Sequence, residues 1–463
     1  MNAATTSGSP IPMRTLHIVL TALALIAAPA SLARAAEWFM SPSGNDANSG
    51  RSERSAFQSM AKANSVLAPG DTLTLLDGLY PVGAITKSGT PNAWITVRAK
   101  NSRKAHLSLE FSARQNPGNA GVLEWNCLSL TNISYAMVIG LGVEGWNPHH
   151  AKVGSGHGIN IQGCHHILVR GCLAKNCSGS GISGSPEVWS GSNKTNGPLD
   201  FITIEDNEVS GCAFWNQYLC HGISLWKSHS ANLGTDPSGF NCVIRRNISY
   251  GNENKVGPWG GPVAKATDGN GIIIDCDNDN GYPHATLVEG NLVFNNGGRG
   301  IHVLKSHNVT VRYNTCWHNN RCKLDGTWKQ GELESDGSDK LRAEDNILVG
   351  NANAWSAAVA LHSFGPPLAM ALRNNLLFGA REVGGPVTLS ETVTLLVDPR
   401  FVNPSVDPAV ADFRLQAGSP AIRAGDTTPA PNPDLAGTPR PQRSANDLGA
   451  YKFTPSTRSA HRH

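Results

Sequence analysis

The sequence predicts an all-β solenoid, a coil of stacked parallel strands, and three observations carry that prediction. A phrase made of Asn, two mostly apolar residues, two loose ones and a second polar turn residue recurs at Asn207, Asn247, Asn291, Asn314 and Asn346, with weaker copies at Gly142, Cys172 and Asn375. Successive copies begin 23 to 44 residues apart, so the unit has a minimum length and accepts insertions, which a rigid helical repeat does not. Before the stronger copies runs a segment with apolar residues at every second position (FITIED, CVIRR, ATLVEG, VTVRY, LRAED), the mark of a strand with one buried face. A second landmark, Gly-Ile followed by a short run, stands upstream at Gly158, Gly181, Gly222, Gly271 and Gly300.

Taken in order, the elements begin with an export signal. Arg14 and His17 precede the apolar run IVLTALALIAAPA, and Ala33-Arg34-Ala35 is an A-x-A cleavage site. This predicts a signal over residues 1–35 and a secreted or periplasmic chain beginning at Ala36; the apolar run is too short to span a bilayer. Residues 36–110 read as an N-terminal cap with the first coils, including an amphipathic helix roughly over Ser55 to Val66 that covers strand edges otherwise open to solvent. Residues 111–390 form the core, with insertions at 185–199 and 253–267 that wall a cleft. Residues 391–452 form a C-terminal cap module and 453–463 a polar tail.

Within the coil, the Asn residues are expected at left-handed turn positions, with their amides hydrogen-bonding from rung to rung. Asn252, Asn296, Asn319 and Asn351 form a second such column, with Cys177 and Cys212 in the earlier rungs. Of the ten cysteines, Cys212 with Cys220 and Cys316 with Cys322 are local disulfide candidates, while Cys242 and Cys276 read as small packing residues within apolar strands.

Gly supplies 49 of 463 residues and charged residues only 16%, as expected where many positions are turns or stacked interior. The net charge of +3 gives no global field towards nucleic acid or a membrane, so an anionic ligand must be held by a local site. The chain is expected to be a monomer.

The phrases SPSGNDANSG, AFQSMAKA and PGDTLTLLDGLY, with DPRFVNP, DFRLQAGSPAI and LGAYKF near the other end, resemble the terminal modules of the pectate lyase-like superfamily over about residues 36–452. The resemblance implies a right-handed parallel β-helix with a short N-terminal capping helix. It also implies membership of a group that holds lyases, hydrolases and epimerases of acidic polysaccharides beside surface and tailspike proteins.

Aligning the Gly-Ile landmarks turns Ile159, Ile223, Ile272 and Ile301 inward, and Asn160, Ser224, Ile273 and His302 outward, followed by Trp226, Asp275 and Leu304. His221, Asn270 and Arg299 precede the glycines, and Lys227, Asp277 and Lys305 follow the strands. One face thus gathers imidazoles, cations, carboxylates and an indole, the inventory of a groove for a charged sugar. Asp268, Asp275, Asp277 and Asp279 offer oxygen ligands for Ca²⁺, or else cap turn amides. β-Elimination from a uronate needs a cation on the carboxylate and a base at C5; Lys305, His302 and Arg299 are the expected catalytic residues, and His221, Trp226, Lys227 and Asn270 the expected substrate contacts. Some β-helix pectate lyases resemble this arrangement, with aspartates holding calcium and a lysine as base. The leading expectation is a polysaccharide lyase that cleaves a uronate-containing polysaccharide by β-elimination; the alternatives are a uronate epimerase, a glycoside hydrolase with paired carboxylates among Asp268, Asp275 and Asp277, and a non-catalytic glycan-binding surface protein.

Overall fold

The computed structural model describes residues 35–115, 126–145, 156–190, 192–326, 328–392, 394–427, 433–442 and 444–455; the expected export signal and most of the polar tail lie outside them. Each turn of the chain gives one short strand to each of three sheets. Sheet I has 12 strands, from Glu37–Met40 to Val387–Thr392. Sheet II has 10, from Gly78–Tyr80 to Leu376–Phe378, and sheet III has 10, from Gly83–Ile85 to Arg381–Gly384. Neighbouring rungs pair in parallel, so the fold is a parallel β-helix, and the twist of L-peptide strands favours right-handed crossovers in such a coil. Its interior is filled by the alternating apolar positions. In sheet III the inward column runs Ile159, Ile182, Ile223, Ile272, Ile301, Leu333 and Val359, all fully buried, each contributing roughly 1.5–3 kcal/mol by leaving water.

The Asn column is a hydrogen-bonded ladder from Asn207 to Asn375. Asn291 is typical: its Oδ1 accepts from the backbone N (2.8 Å) and Nδ2 (3.0 Å) of Asn247. Its own Nδ2 donates to Ile244 O (3.0 Å) and Asn314 Oδ1 (2.9 Å). The left-handed residue, however, is the one before each Asn: Asp206, Arg246, Gly290, Tyr313, Asp345 and Asn374 all have φ between 50° and 65°. The Asn is selected for its amide, because only a side chain with both donor and acceptor satisfies the rungs on each side. The second column holds from Cys212 through Asn252 and Asn296 to Asn319 and then ends. Asn319 turns its amide to the buried carboxyl of Glu332 (2.5 Å), and Asn351 falls out of register to donate to the Asn319 carbonyl.

A third ladder, of oxygens, follows sheet III. Asp277 Oδ1 accepts from Ser228 N (2.8 Å), Ser306 Oγ from Asp277 N (3.1 Å) and Ser338 Oγ from Ser306 N (3.0 Å). Asp277 is therefore a buried rung of this ladder and is turned away from any surface ligand. Burial pushes its carboxyl up to about 7, against the hydrogen bonds from Ser228. Between about pH 4 and 7 the folded state keeps a proton that the unfolded chain has lost, so this residue makes stability fall as pH rises through that window. Asp277→Asn preserves the acceptor and is expected to remove the slope, raising stability at pH 8 by at most on the order of 4 kcal/mol. Denaturant midpoints at pH 4 and pH 8 check this, and an equal change at both would contradict it.

The seven-residue helix α1 (Met60–Val66) is capped by Ser59, whose side chain accepts from Lys62 N, and buries Met60 and Ala63. All ten cysteines are free, so neither local disulfide candidate is bridged. Cys242 is buried as expected, whereas Cys276 sits in a left-handed turn (φ 59°) just past its strand. The C-terminal module lies along the flank of the coil, where Phe401, Phe413 and Leu448 cover Phe294, Trp317 and Ile347 of sheet II. On the outward face of sheet I, Arg170, Glu205, Arg245, Glu289, Arg312, Glu344 and Arg373 follow one another rung by rung. Arg245 Nε lies 2.6 Å from Glu205, and Arg312 Nε 2.6 Å from Glu289.

Candidate functional site

Five successive strands of sheet III build the candidate site: β1 (Ile223–Trp226), β2 (Ile272–Asp275), β3 (Ile301–Leu304), β4 (Gln330–Asp336) and β5 (Ser356–His362). Because alternate residues fill the core, the others face outward in two columns. One runs Ser224, Ile273, His302, Glu334 and Ala360, the other Trp226, Asp275, Leu304, Asp336 and His362. The expected columns are thus in place as far as β3 and continue into three residues not anticipated from the sequence: Glu334, Asp336 and His362.

Asp336 is the centre. Its Oδ2 lies 3.1 Å from His302 Nε2 and its Oδ1 2.7 Å from His362 Nδ1. The Arg299 guanidinium lies 2.7 Å from Glu334 Oε1 and 3.8 Å from Asp336 Oδ2. Burial alone would raise the Asp336 carboxyl, but the two imidazoles and Arg299 override it and hold the group ionised, well below the usual carboxylate range. Glu334 is moved the other way by burial, which Arg299 only partly offsets. His302 presents Nε2 to the Asp336 carboxylate, and its Nδ1 lies 3.5 Å from the Asn270 amide.

Asn270 knits the preceding rung to this cluster. Its Oδ1 accepts from Arg299 N (2.9 Å), and its Nδ2 lies 3.1 Å from Asp268 Oδ1 and 3.2 Å from His221 Nδ1. Burial lowers His221 to about 4 against the pull of Asp268, so it acts as a neutral hydrogen-bonding group. Arg299 is largely covered, at 12% side-chain exposure, with its NH1 also donating to Thr267 O (2.5 Å). It is spent on holding the two carboxylates rather than presented to a ligand.

Asp275 has the opposite character from Asp336. Burial, reinforced by the charge of Asp268 and opposed by Cys276 and His302, pushes its carboxyl up to about 6, and its Oδ1 is buried with no hydrogen-bond partner. It stands two rungs from Asp336 in the same column, with Leu304 between them. Aromatic rings flank the column at both ends. Trp226 lies one rung before Asp275, with Lys227 Nζ 5.0 Å above its ring. At the other end Trp328 (46% exposed) and Phe364 (61% exposed) stand 5.1 and 6.3 Å from the His362 ring. The Trp328 ring packs directly over Gly384, where a Cβ would meet it at 2.7 Å.

The remaining expected residues are dispersed. Lys305 is exposed in the left-handed turn after β3 (φ 42°), on the rim, with its backbone N bonded to Asp336 O. Lys227 pairs with Asp279 at 3.1 Å. Asp268 accepts from Thr267 Oγ1 (2.7 Å) and lines a cavity of about 320 Å³ that is walled partly by the 253–267 insertion. The four aspartates therefore do not form one donor set. Among the described residues, the three-group gathering with ligand atoms within 4.8 Å is His302, Glu334 and Asp336, where Arg299 already occupies the place of a cation. The residues present do not fit calcium. Strands β4 and β5 were not legible because Glu332-Leu333 and Ala358-Val359 replace the Gly-Ile pair; the spacing of Leu333 from Ile301, within the range of the repeat, was the available signal.

No family model and no curated protein matches the sequence. Among solved structures the chain is similar to the complex of XylC with xylose, at a TM-score of 0.52 and 11% identity over 90% of this chain and 98% of that one. It is also similar to pectate lyase Pel9A (TM-score 0.47, 15% identity, 90% and 96% covered). A third likeness is to a GH136 lacto-N-biosidase from Eubacterium ramulus (TM-score 0.47, 15% identity, 78% and 68% covered). At such identities the XylC likeness establishes the parallel β-helix and leaves the chemistry to be argued from the site.

Proposed function

We propose that this parallel β-helix is an exported carbohydrate-active enzyme that hydrolyses glycosidic bonds of an acidic polysaccharide, with Asp275 as proton donor and Asp336 as base. The observation that carries the reading is the divergence of two carboxyls in one outward column, one held ionised and one held protonated to about pH 6. Asp275 gives its proton to the leaving glycosidic oxygen as the bond to the anomeric carbon breaks. Asp336 takes a proton from the water whose oxygen replaces it, while His302 and His362 hold the carboxylate in place. The two backbones are two rungs, about 10 Å, apart, well beyond the roughly 5 Å between the carboxyls of a retaining pair, so the reading is of an inverting enzyme. Trp226 at one end and Trp328 with Phe364 at the other offer ring faces to sugars, and Lys305 on the rim offers a cation to an acidic substituent.

The test incubates the mature protein with pectate, alginate and glucuronan, with and without chelator. Reducing ends, the anomer of the first product by proton NMR, and the ultraviolet absorbance of unsaturated uronate are followed. The expected result is reducing ends with inverted configuration, no unsaturated product and no effect of chelator. Unsaturated product abolished by Lys305→Ala would instead favour β-elimination, a second reading that rests on Lys305 being an exposed ammonium on the rung between Asp275 and Asp336. Because the proton donor must be protonated, kcat/KM is expected to fall above about pH 6, and a profile flat through pH 8 would remove Asp275 from that role.

A further inference from the structure

Sheet I carries a groove of about 800 Å³ on its outward face, away from the columns of sheet III. Its floor is open because Ala369 and Ala371 stand outward between larger neighbours, in register with Thr388 and Ser390 on the last strand. Arg342 lies between Thr310 and Ala371 in one column, and Lys340 precedes it on the same rung. Both side chains are exposed, and neither joins an ion pair among the described residues. This is unusual on a sheet whose next outward column pairs its Arg and Glu side chains. None of the lining residues is acidic. The adjacent carboxylate, Asp339, accepts from Ala369 N at 2.7 Å and does not line the groove. Hydroxyls of Thr310, Thr388 and Ser390 and the amide of Asn308 add polar groups to the lining, beside the rings of Phe240, Pro283 and His284.

We propose that this groove is a second binding site, for an acidic oligosaccharide, distinct from the candidate catalytic cluster. Two unpaired cations match the charge of uronate or sulfate groups, and the hydroxyls and amide match the donors and acceptors of a sugar ring. A site of this kind would keep the polymer on the enzyme between cleavages. It does not depend on which reaction sheet III performs.

The test is calorimetric titration of Asp336→Asn protein, in which cleavage is silenced, with tetragalacturonate, a sulfated galactan tetramer and neutral cellotetraose. The same titrations are run on a variant that also carries Lys340→Ser and Arg342→Ser. One class of site for either acidic probe is expected to weaken by about tenfold or more in that variant, with a shallower salt dependence. Turnover of short substrates by Lys340→Ser/Arg342→Ser protein with Asp336 intact is expected to be unchanged. Equal affinity and stoichiometry in the two proteins would overturn the proposal, as would equally tight binding of cellotetraose at the groove. Because the readout is binding, absence of any hydrolysis would sink the catalytic reading and leave this one standing.

Discussion

Asp336→Asn is expected to lower kcat by about 10³-fold or more while KM changes little. The amide keeps the shape of the carboxyl and can still accept from one imidazole, so the column and the neighbouring strands have no reason to move. Arg299 retains its 2.7 Å pair with Glu334, which limits the cost of the lost charge. What disappears is the only group in the column held ionised and able to take a proton from water. Initial rates on the polymer that the wild-type protein cleaves, with the thermal midpoint as a folding control, check this. More than a tenth of wild-type turnover would assign the base elsewhere, with Glu334 the next carboxyl to replace.

Asn291→Leu is expected to cost on the order of 5 kcal/mol of folding stability. Leucine fits the volume but removes four side-chain hydrogen bonds. The Asn247 backbone N and amide, the Ile244 carbonyl and the Asn314 oxygen are left wholly or partly unsatisfied in the interior, at about 1–3 kcal/mol each. Water cannot repair the loss, because Asn247, Asn291 and Asn314 are all fully buried. Asn375, at the end of the ladder, has only the Asn346 side of the pattern and one bond to Ala343 O, so Asn375→Leu should cost less. Chemical denaturation of both variants tests the order, and a loss under about 1 kcal/mol at Asn291 would mean that the ladder is incidental to stability.

The coil was legible because its rules are local and repeated. A residue that must be inward once per turn leaves a periodic trace, and so does an amide that must bond two neighbours. The left-handed position was misplaced by one residue, since Asp, Arg, Tyr and Gly share it and leave no common letter. Asp277 resembled a ligand because an acidic side chain at a turn reads the same whether it caps a backbone amide or faces solvent. Asp336 was harder still. Its character comes from His302 and His362, which lie 34 and 26 residues away in sequence and reach it only because the loops between strands have particular lengths. Arg299 stands beside Asn270 as its place before Gly300 requires, but its ionic partners Glu334 and Asp336 arrive from the next rung and leave no mark near it in the sequence.

The alternation of Arg and Glu along sheet I bears on how the coil is assembled. Rungs so alike invite mistakes in threading: a turn could be skipped, and isoleucine would still meet isoleucine. A skipped turn that bypassed Arg245 would set Glu205 against Glu289, and a skip at any other rung of the column would likewise set like sign on like sign. The hydrophobic interior is indifferent to which turn follows which; the charged column is not, and it rewards only growth in which each turn docks on its immediate predecessor.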